Sequence, residues 1–473
     1  MTSVPTNKSP TPTTSLGTLS RRAALTTLAA SAAGFALFGP RGAKERSDGK
    51  IVLDYWEKWT GHEGRAMQKV VDEFNATIGE QKKIFVRYLV TAGIDQKTLI
   101  AVAGGNPPDL VGLWNYNIPL YAESNAILPL DDLGSSHNVK LENYAAGFRP
   151  VLEHPDATGK KRMWGVVNTG GTVAMYYNKS AFREVGLDPE RPPRTISELD
   201  EYDKRLSIIN ADGTIERAGF IHAEPGWWSW IWGYHFGGSL ADIAHNKSLA
   251  ASKENIEAFE WVQSYSKRYG KDAVQTFKSA FAHAYDSPQN ALLDGKCAMV
   301  VQGPWLANVI NAKKPGFDYG VASFPVRDDL YNERTPYGLV DCDVLVIPRG
   351  VKNPEASMEF VAYTQRQQVV EYIAREHFKN SPLATSSSDF LATHPNRGVR
   401  VHDAIAQSEK AYLCPRTRTW PQFKDEFDAA MQRMWGLQST AAADLAAIQE
   451  RTQGFLDRAA EQKARRAGSG GRA

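Results

Sequence analysis

The chain has 473 residues with 55 basic and 53 acidic side chains, a formal net charge of +2, so no broad basic field is available to hold nucleic acid. That length exceeds one ordinary core and implies two domains or lobes. Hydrophobic residues make up 42% and charged residues 23%, proportions that exclude a collagen-like or wholly disordered chain.

Residues 1–45 read as an export signal and disordered leader. Residues 1–18 are polar and rich in Ser, Thr and Pro. Ser20-Arg21-Arg22-Ala23-Ala24-Leu25 then precedes an apolar run of small residues up to Phe38, followed by Gly39-Pro40. Paired arginines ahead of a mildly apolar segment are the pattern of a twin-arginine signal. Ala24 stands where such signals usually carry a bulkier residue, which leaves a general secretory route open. The run is too short for a good membrane span. Cys297, Cys342 and Cys414 form no C-x-x-C pair, and an odd, sparse set reads as buried or free thiols rather than a disulfide framework. No Cys follows the leader's apolar run, so the expectation is a periplasmic protein without a lipid anchor.

After a charged linker at residues 44–50, strands are predicted at 51–56, 84–90 and 109–113, with helices at 61–76 and 95–103 between them. Met67, Val70, Val71 and Phe74 have helical spacing, and Gly104-Gly105-Asn106-Pro107-Pro108 stops the second helix. This β-α-β-α-β order predicts a parallel α/β sheet, with ligands beyond the carboxyl ends of its strands. A strand at 163–167, the pair Gly170-Gly171 and a second strand at 172–177 predict a crossing from one lobe to another, the glycines supplying backbone angles other residues avoid. Asn178 is placed to cap the helix that follows, and Thr195-Ile196-Ser197-Glu198 reads as a capping box.

Residues 226–237 read GWWSWIWGYHFG, with four Trp in six positions. Helix is expected at 253–269, and a strand at 298–301 followed by Gly303-Pro304-Trp305. Another short strand falls at 320–325. Asp341 and Asp343 interrupt an apolar strand at 339–348, and Asn353-Pro354-Glu355 opens a helix with Asn as cap. The last third reads as helical, ending in a disordered tail at 463–473.

The ordered set of these blocks resembles the extracellular solute-binding proteins of family 1, the carbohydrate-type capture subunits of ATP-binding-cassette importers. The blocks are Tyr55-Trp56 before Gly-His-Glu, the run KTLIAVAGGNPPDL from Lys97, Ile127-Leu128-Pro129-Leu130-Asp131, Tyr176-Tyr177-Asn178-Lys179, Leu293-Asp294-Gly295-Lys296 and Ile347-Pro348. Cys297 stands for the family's usual Ala, and Thr195-Ile196-Ser197 lacks its usual Trp. The resemblance implies a two-lobed periplasmic-binding-protein fold of type II, α/β in both lobes and joined by crossing hinge segments. Lobe 1 is expected at 46–167 plus 343–378 and lobe 2 at 168–342 plus 379–462. Further crossings are expected near 339–347 and 377–383. The implied activity is capture of a carbohydrate by hinge closure and delivery to the permease subunits of an importer, by a monomer with no cofactor and no enzymatic role.

The resemblance places Trp56, Trp114, Trp227, Trp228, Trp305 and Trp420 along the cleft. A flat aromatic covers the C–H face of a sugar ring while acids and amides bond its hydroxyl edge. Glu57, Glu63, Asn115 and Asp341 are the polar candidates, Asp341 because an acid in an apolar strand needs a partner. Asp343 has the same claim or else bonds hinge backbone. Trp228, Ile231 and Trp232 share a helical face, so at least one of them is expected in a core. His62 beside Glu63 lacks the second His of H-E-x-x-H, so no metal is expected. Two alternatives stand beside capture: a periplasmic glycoside hydrolase, since aromatics with paired carboxylates also suit glycosidic cleavage, and a binding protein for a non-sugar solute.

Overall fold

Short β-branched and aromatic runs punctuated by Gly and Pro build two mixed sheets, each with its own core. The computed structural model describes residues 48–281 and 285–469. The leader expected at 1–45 and the last four residues of the expected tail lie outside them. The chain divides into residues 1–52, of which only 48–52 are described, and Leu53–Ala473. Every contact discussed below lies within the second unit.

The first sheet contains β1 (Ile51–Glu57), β2 (Ile84–Val90), β3 (Leu110–Trp114), β4 (Val166–Thr169) and β10 (Asp343–Val346), in the order β2-β1-β3-β10-β4. α1 (Gly61–Ala76) follows β1 and buries Met67, Val70, Val71 and Phe74, the residues whose spacing predicted it. α2 (Ile94–Ala103) precedes β3. β1 and β3 are parallel, as the β-α-β-α-β order predicts. The sheet as a whole is not parallel, because β10 enters from far along the chain and pairs antiparallel with both β3 and β4.

The second sheet contains β5 (Ala174–Asn178), β6 (Ile208–Ile209), β7 (Ile215–Phe220), β8 (Cys297–Gln302) and β9 (Tyr319–Ala322), in the order β9-β5-β8-β7-β6. Asn178 caps α3 (Lys179–Glu184) by accepting from the Ala181 N–H at 3.1 Å. Thr195 caps α4 (Ile196–Leu206) by accepting from the Glu198 N–H at 3.3 Å. The return half of that capping box is displaced by one residue: Glu198 accepts from the Arg194 N–H. α5 (Lys253–Tyr269), α6 (Leu306–Lys313), α10 (Trp420–Trp435) and α11 (Ala441–Ser469) complete this half. α11 continues as helix through much of the stretch expected to be a disordered tail.

α7 (Pro354–Thr364) and α8 (Gln367–Glu376) belong to the first half, and α9 (Val399–Gln407) lies between them and α10. Asn353 precedes α7 as expected, but its side chain makes no capping bond, and Pro354 at the first turn removes one N–H that would need it. The second core collects Phe220, Phe259 and the buried Trp230 and Trp232, and the first collects Tyr55, Phe74, Phe148 and Phe360. Among the described residues no helix is long and apolar enough to cross a membrane.

Three segments that join the two halves meet in space. Val173 N–H donates to Leu339 O at 2.8 Å, Asp341 N–H to Gly171 O at 3.1 Å, and Val340 N–H to Tyr412 O at 2.8 Å. The glycine pair serves this meeting by size rather than by torsion: neither Gly170 nor Gly171 has positive φ. A Cβ on Gly170 would lie 2.4 Å from Asn380 O, and one on Gly171 2.2 Å from Asp341 O. The expectation of unusual backbone angles here is therefore corrected to one of close backbone approach.

Candidate functional site

Loops that follow the carboxyl ends of parallel strands are where an α/β sheet leaves room for a ligand. Residues 58–63, 90–94 and 114–116, which follow β1, β2 and β3, form one wall of a cavity of about 1030 Å3. Trp227, Trp228, Tyr285 and Trp305 come from the second half, and residues 339–343 and Lys379 cross the floor.

The floor is ionic. Lys58 Nζ lies 2.8 Å from Asp343 Oδ1 and 3.2 Å from Glu57 Oε1. Lys379 Nζ lies 3.3 Å from Asp343 Oδ2 and 3.7 Å from Glu63 Oε1. Thr169 donates its hydroxyl to Asp343 Oδ2 at 3.0 Å. Burial by itself would raise the Asp343 carboxyl, but the two ammonium groups outweigh it and hold it well below the usual carboxylate range. Burial likewise works to discharge Lys58, and Asp343 and Glu57 reverse that and raise it. The two lysines also sit against aromatic rings: Lys58 Nζ is 5.0 Å from the Trp114 centroid and 5.2 Å from that of Trp59, and Lys379 Nζ is 5.9 Å from that of Trp305.

Asp341 has a different environment. Its Oδ2 accepts from Trp228 Nε1 at 3.1 Å and its Oδ1 from Asn115 Nδ2 at 3.4 Å. Burial pushes its carboxyl up to about 6, the Trp228 bond opposing and the nearby Asp343 charge adding to the rise. The aromatic walls stand around it. Trp114 is 37% exposed and stacks on Tyr116, with ring planes 5° apart. Trp227 is 39% exposed and meets Tyr285 edge-on at 4.8 Å. Trp305 is held by its Nε1 donating to Gln302 Oε1 at 3.0 Å, which fixes the ring without using its face.

Of the residues singled out from sequence, Glu63, Trp114, Asn115, Trp227, Trp228, Trp305, Asp341 and Trp420 line the cavity. Trp56 does not: it packs half-buried against the first core. Glu57 does not line it either. It is fully buried, accepting from Tyr55 OH at 2.7 Å and Asn168 Nδ2 at 3.1 Å, and reaches the cavity only through Lys58. Trp420 is almost entirely buried, edge-on to Trp230 at 4.8 Å, so it closes the wall more than it offers a face. Trp228 and Trp232 lie in the second core as well, with Trp228 in a turn and Trp232 starting a four-residue helix. Lys58, Lys379, Trp59 and Tyr285 were missed. The available signal was Asp343 itself, since an acid in an apolar strand needs a cation. Among the described residues no group of three or more His, Cys, Asp or Glu is placed to hold a metal ion.

A sequence model of bacterial extracellular solute-binding proteins matches residues 69–396, most of the chain. The chain belongs to that family. This solute-binding protein is 24% identical over 334 residues to the maltotriose-binding protein of Pyrococcus abyssi, a match covering 70% of this chain and 66% of that one. It is 23% identical over 453 residues to the sn-glycerol-3-phosphate-binding periplasmic protein UgpB of Pectobacterium atrosepticum, covering 91% and 96% of the two chains. Among solved structures it is similar to CpMnBP1 with mannotriose bound, with 26% identity, a TM-score of 0.72 and coverage of 85% of this chain and 100% of that one. The fold is shared with UgpB from Mycobacterium tuberculosis in complex with glycerophosphocholine, at 20% identity and a TM-score of 0.67 over 87% of this chain and 99% of that one. The solute-binding protein is thus an α/β protein of the two-lobed periplasmic type.

Proposed function

We propose that the protein captures a carbohydrate, an oligosaccharide or sugar derivative, between its two lobes by hinge closure and delivers it to the permease subunits of an ATP-binding-cassette importer. The observation that carries this reading is one cavity lined by aromatic residues from both halves, Trp114 from the first and Trp227 and Trp305 from the second, with the Asp341 carboxylate among them. Ring C–H faces fit the aromatics and hydroxyls fit the acid. The volume of about 1030 Å3 is at the upper end for ligand pockets and leaves room for more than one sugar ring. Relatives whose names specify maltotriose and mannotriose support the same class. We assign residues 46–167 with 343–378 to lobe 1 and 168–342 with 379–462 to lobe 2, acting as a monomer outside the inner membrane after twin-arginine export.

Binding without turnover is the reading the floor favours. A raised carboxyl at Asp341 beside a depressed one at Asp343 is the division of proton affinity a glycosidase needs. Asp343, however, is engaged on both oxygens, by Lys58 on one and by Lys379 and Thr169 on the other, which opposes its use as a nucleophile or base. A screen of mono- and oligosaccharides by thermal shift and tryptophan fluorescence tests the function. Bound sugars recovered at full length support capture; shortened products establish hydrolysis, and the absence of any response from either signal removes the carbohydrate assignment.

A further inference from the structure

The relatives of this chain include a maltotriose-binding protein and an sn-glycerol-3-phosphate-binding one, so similarity does not decide whether the ligand is charged. The cavity's own ion pairs do bear on it. Each lysine that lines the cavity already has a carboxylate partner supplied by the protein. Lys58 and Lys379 share Asp343, with Glu57 and Glu63 as second partners. Near the rim, Lys313 lies 3.5 Å from Asp286 and Lys424 2.5 Å from Asp428. Asp341 is the exception in sign: among the described residues it makes no ion pair, and its two partners are the neutral donors Trp228 Nε1 and Asn115 Nδ2.

Resting on the carbohydrate reading, we propose that this cavity takes uncharged glycans and discriminates against sugars bearing phosphate, sulfate or carboxylate. On the floor of the cavity an anionic ligand gains a lysine only by taking it from Asp343, Glu57 or Glu63, and Lys313 and Lys424, whose pairs are exposed, return little to an anion in screened solution. Removing one partner of a buried pair leaves the other charge uncompensated, which costs more than an exposed pair could return. The incoming anion would also face Asp341, raising the repulsion already present between Asp341 and Asp343. A neutral hydroxyl meets neither obstacle. It donates to Asp341, and the lysines, already neutralised, serve as fixed donors and as caps on the Trp59, Trp114 and Trp305 rings.

The test uses the full chain and matched probes, titrated calorimetrically at low and moderate salt. Maltotriose and mannotriose are the neutral probes; trigalacturonate, sn-glycerol 3-phosphate and glucose 6-phosphate with its glucose counterpart are the charged set. The expected result is saturable binding by a neutral glycan and at least a tenfold weaker response from every anionic probe. Tighter or equal binding of an anionic probe overturns the inference while leaving carbohydrate capture standing. If no probe of either kind binds, the carbohydrate reading fails and this inference with it. Two variants add a second readout. Glu63→Gln, partly exposed at the cavity wall, removes one of the two carboxylates that pair with Lys379 and should reduce the neutral-to-anion preference severalfold. Asp343→Asn removes the carboxylate the two lysines share, leaving each only its second partner, and should reduce it further where circular dichroism shows the fold retained. A folded Glu63→Gln protein with an unchanged preference counts against the ion pairs as its cause.

Discussion

Asp341 and Asp343 are two residues apart, yet burial raises the carboxyl of one to about 6 while two lysines hold the other well below the usual carboxylate range. Asp341 binds a proton more readily folded than unfolded between its ordinary value and about 6. It therefore contributes stability that is complete at the acid end of that window and lost as pH rises through about 6. Asp341→Asn should melt higher than the parent at about pH 8, by on the order of 1–2 kcal/mol, with the difference vanishing below about pH 4. Paired melting curves across that range check it, and a difference that grows on acidification would contradict the assignment. Trp305 is held by an edge hydrogen bond and lines the cavity. Trp305→Ala should weaken glycan binding by roughly 10- to 100-fold, about 1.4–2.7 kcal/mol, while the melting temperature changes little. A large loss of stability would mark the ring as core instead.

At the scale of elements, the crossing segments carry the consequence. Gly170 and Gly171 lie under the Asn380 and Asp341 carbonyls, which belong to backbone and cannot turn aside as a flexible side chain would. Gly171→Ala should destabilise by about 1–3 kcal/mol, and the melting temperature and urea midpoint should both report it. Substitution at Gly213, which has positive φ and open space around it, should instead cost through backbone strain alone. The short loop from β4 to β5 was legible as a crossing because two strand patterns with separate cores cannot be joined without one. The insertion of β10 between β3 and β4 was not legible. Its partners lie some 170 to 230 positions earlier in the chain, and local periodicity carries no record of them.

For the whole molecule, burial rather than surface charge sets the response to acid. His222, His235 and His402 are pushed down to about 3, and His377 and His394 to about 4, with burial the leading cause in each case. Folded, each binds fewer protons than the unfolded chain between those values and its ordinary 6.5, so stability is lost as pH falls through that window. Asp343 and Glu63, both depressed, add to the loss at lower pH. Asp341 and Glu224, the latter pushed up to about 7 by burial, oppose it. The melting temperature should fall steadily between about pH 7 and pH 4; a rise over that interval would show that the acids raised by burial, Asp95, Asp203 and Asp403 among them, dominate. A bound glycan should move the curve the other way, by about 2.7 kcal/mol at a hundredfold excess over Kd, and small-angle scattering should show a smaller radius if closure accompanies binding.

The sequence by itself determined the elements, the presence of two cores and most of the aromatic wall, because helix and strand periods, caps and Gly/Pro stops are local. Trp114, Trp227, Trp228 and Trp305 were legible through the family resemblance, Trp114 and Trp305 also because each stands at a strand end. Only the tertiary structure decided which face each side chain took. Trp56 turned to the core and Glu57 went behind Lys58, although both stand at the same strand end. It alone brought Lys379 to Asp343 and closed every lysine of the cavity into an ion pair. Those partners are distant along the chain, and the charge a cavity offers a ligand depends on which groups meet after folding.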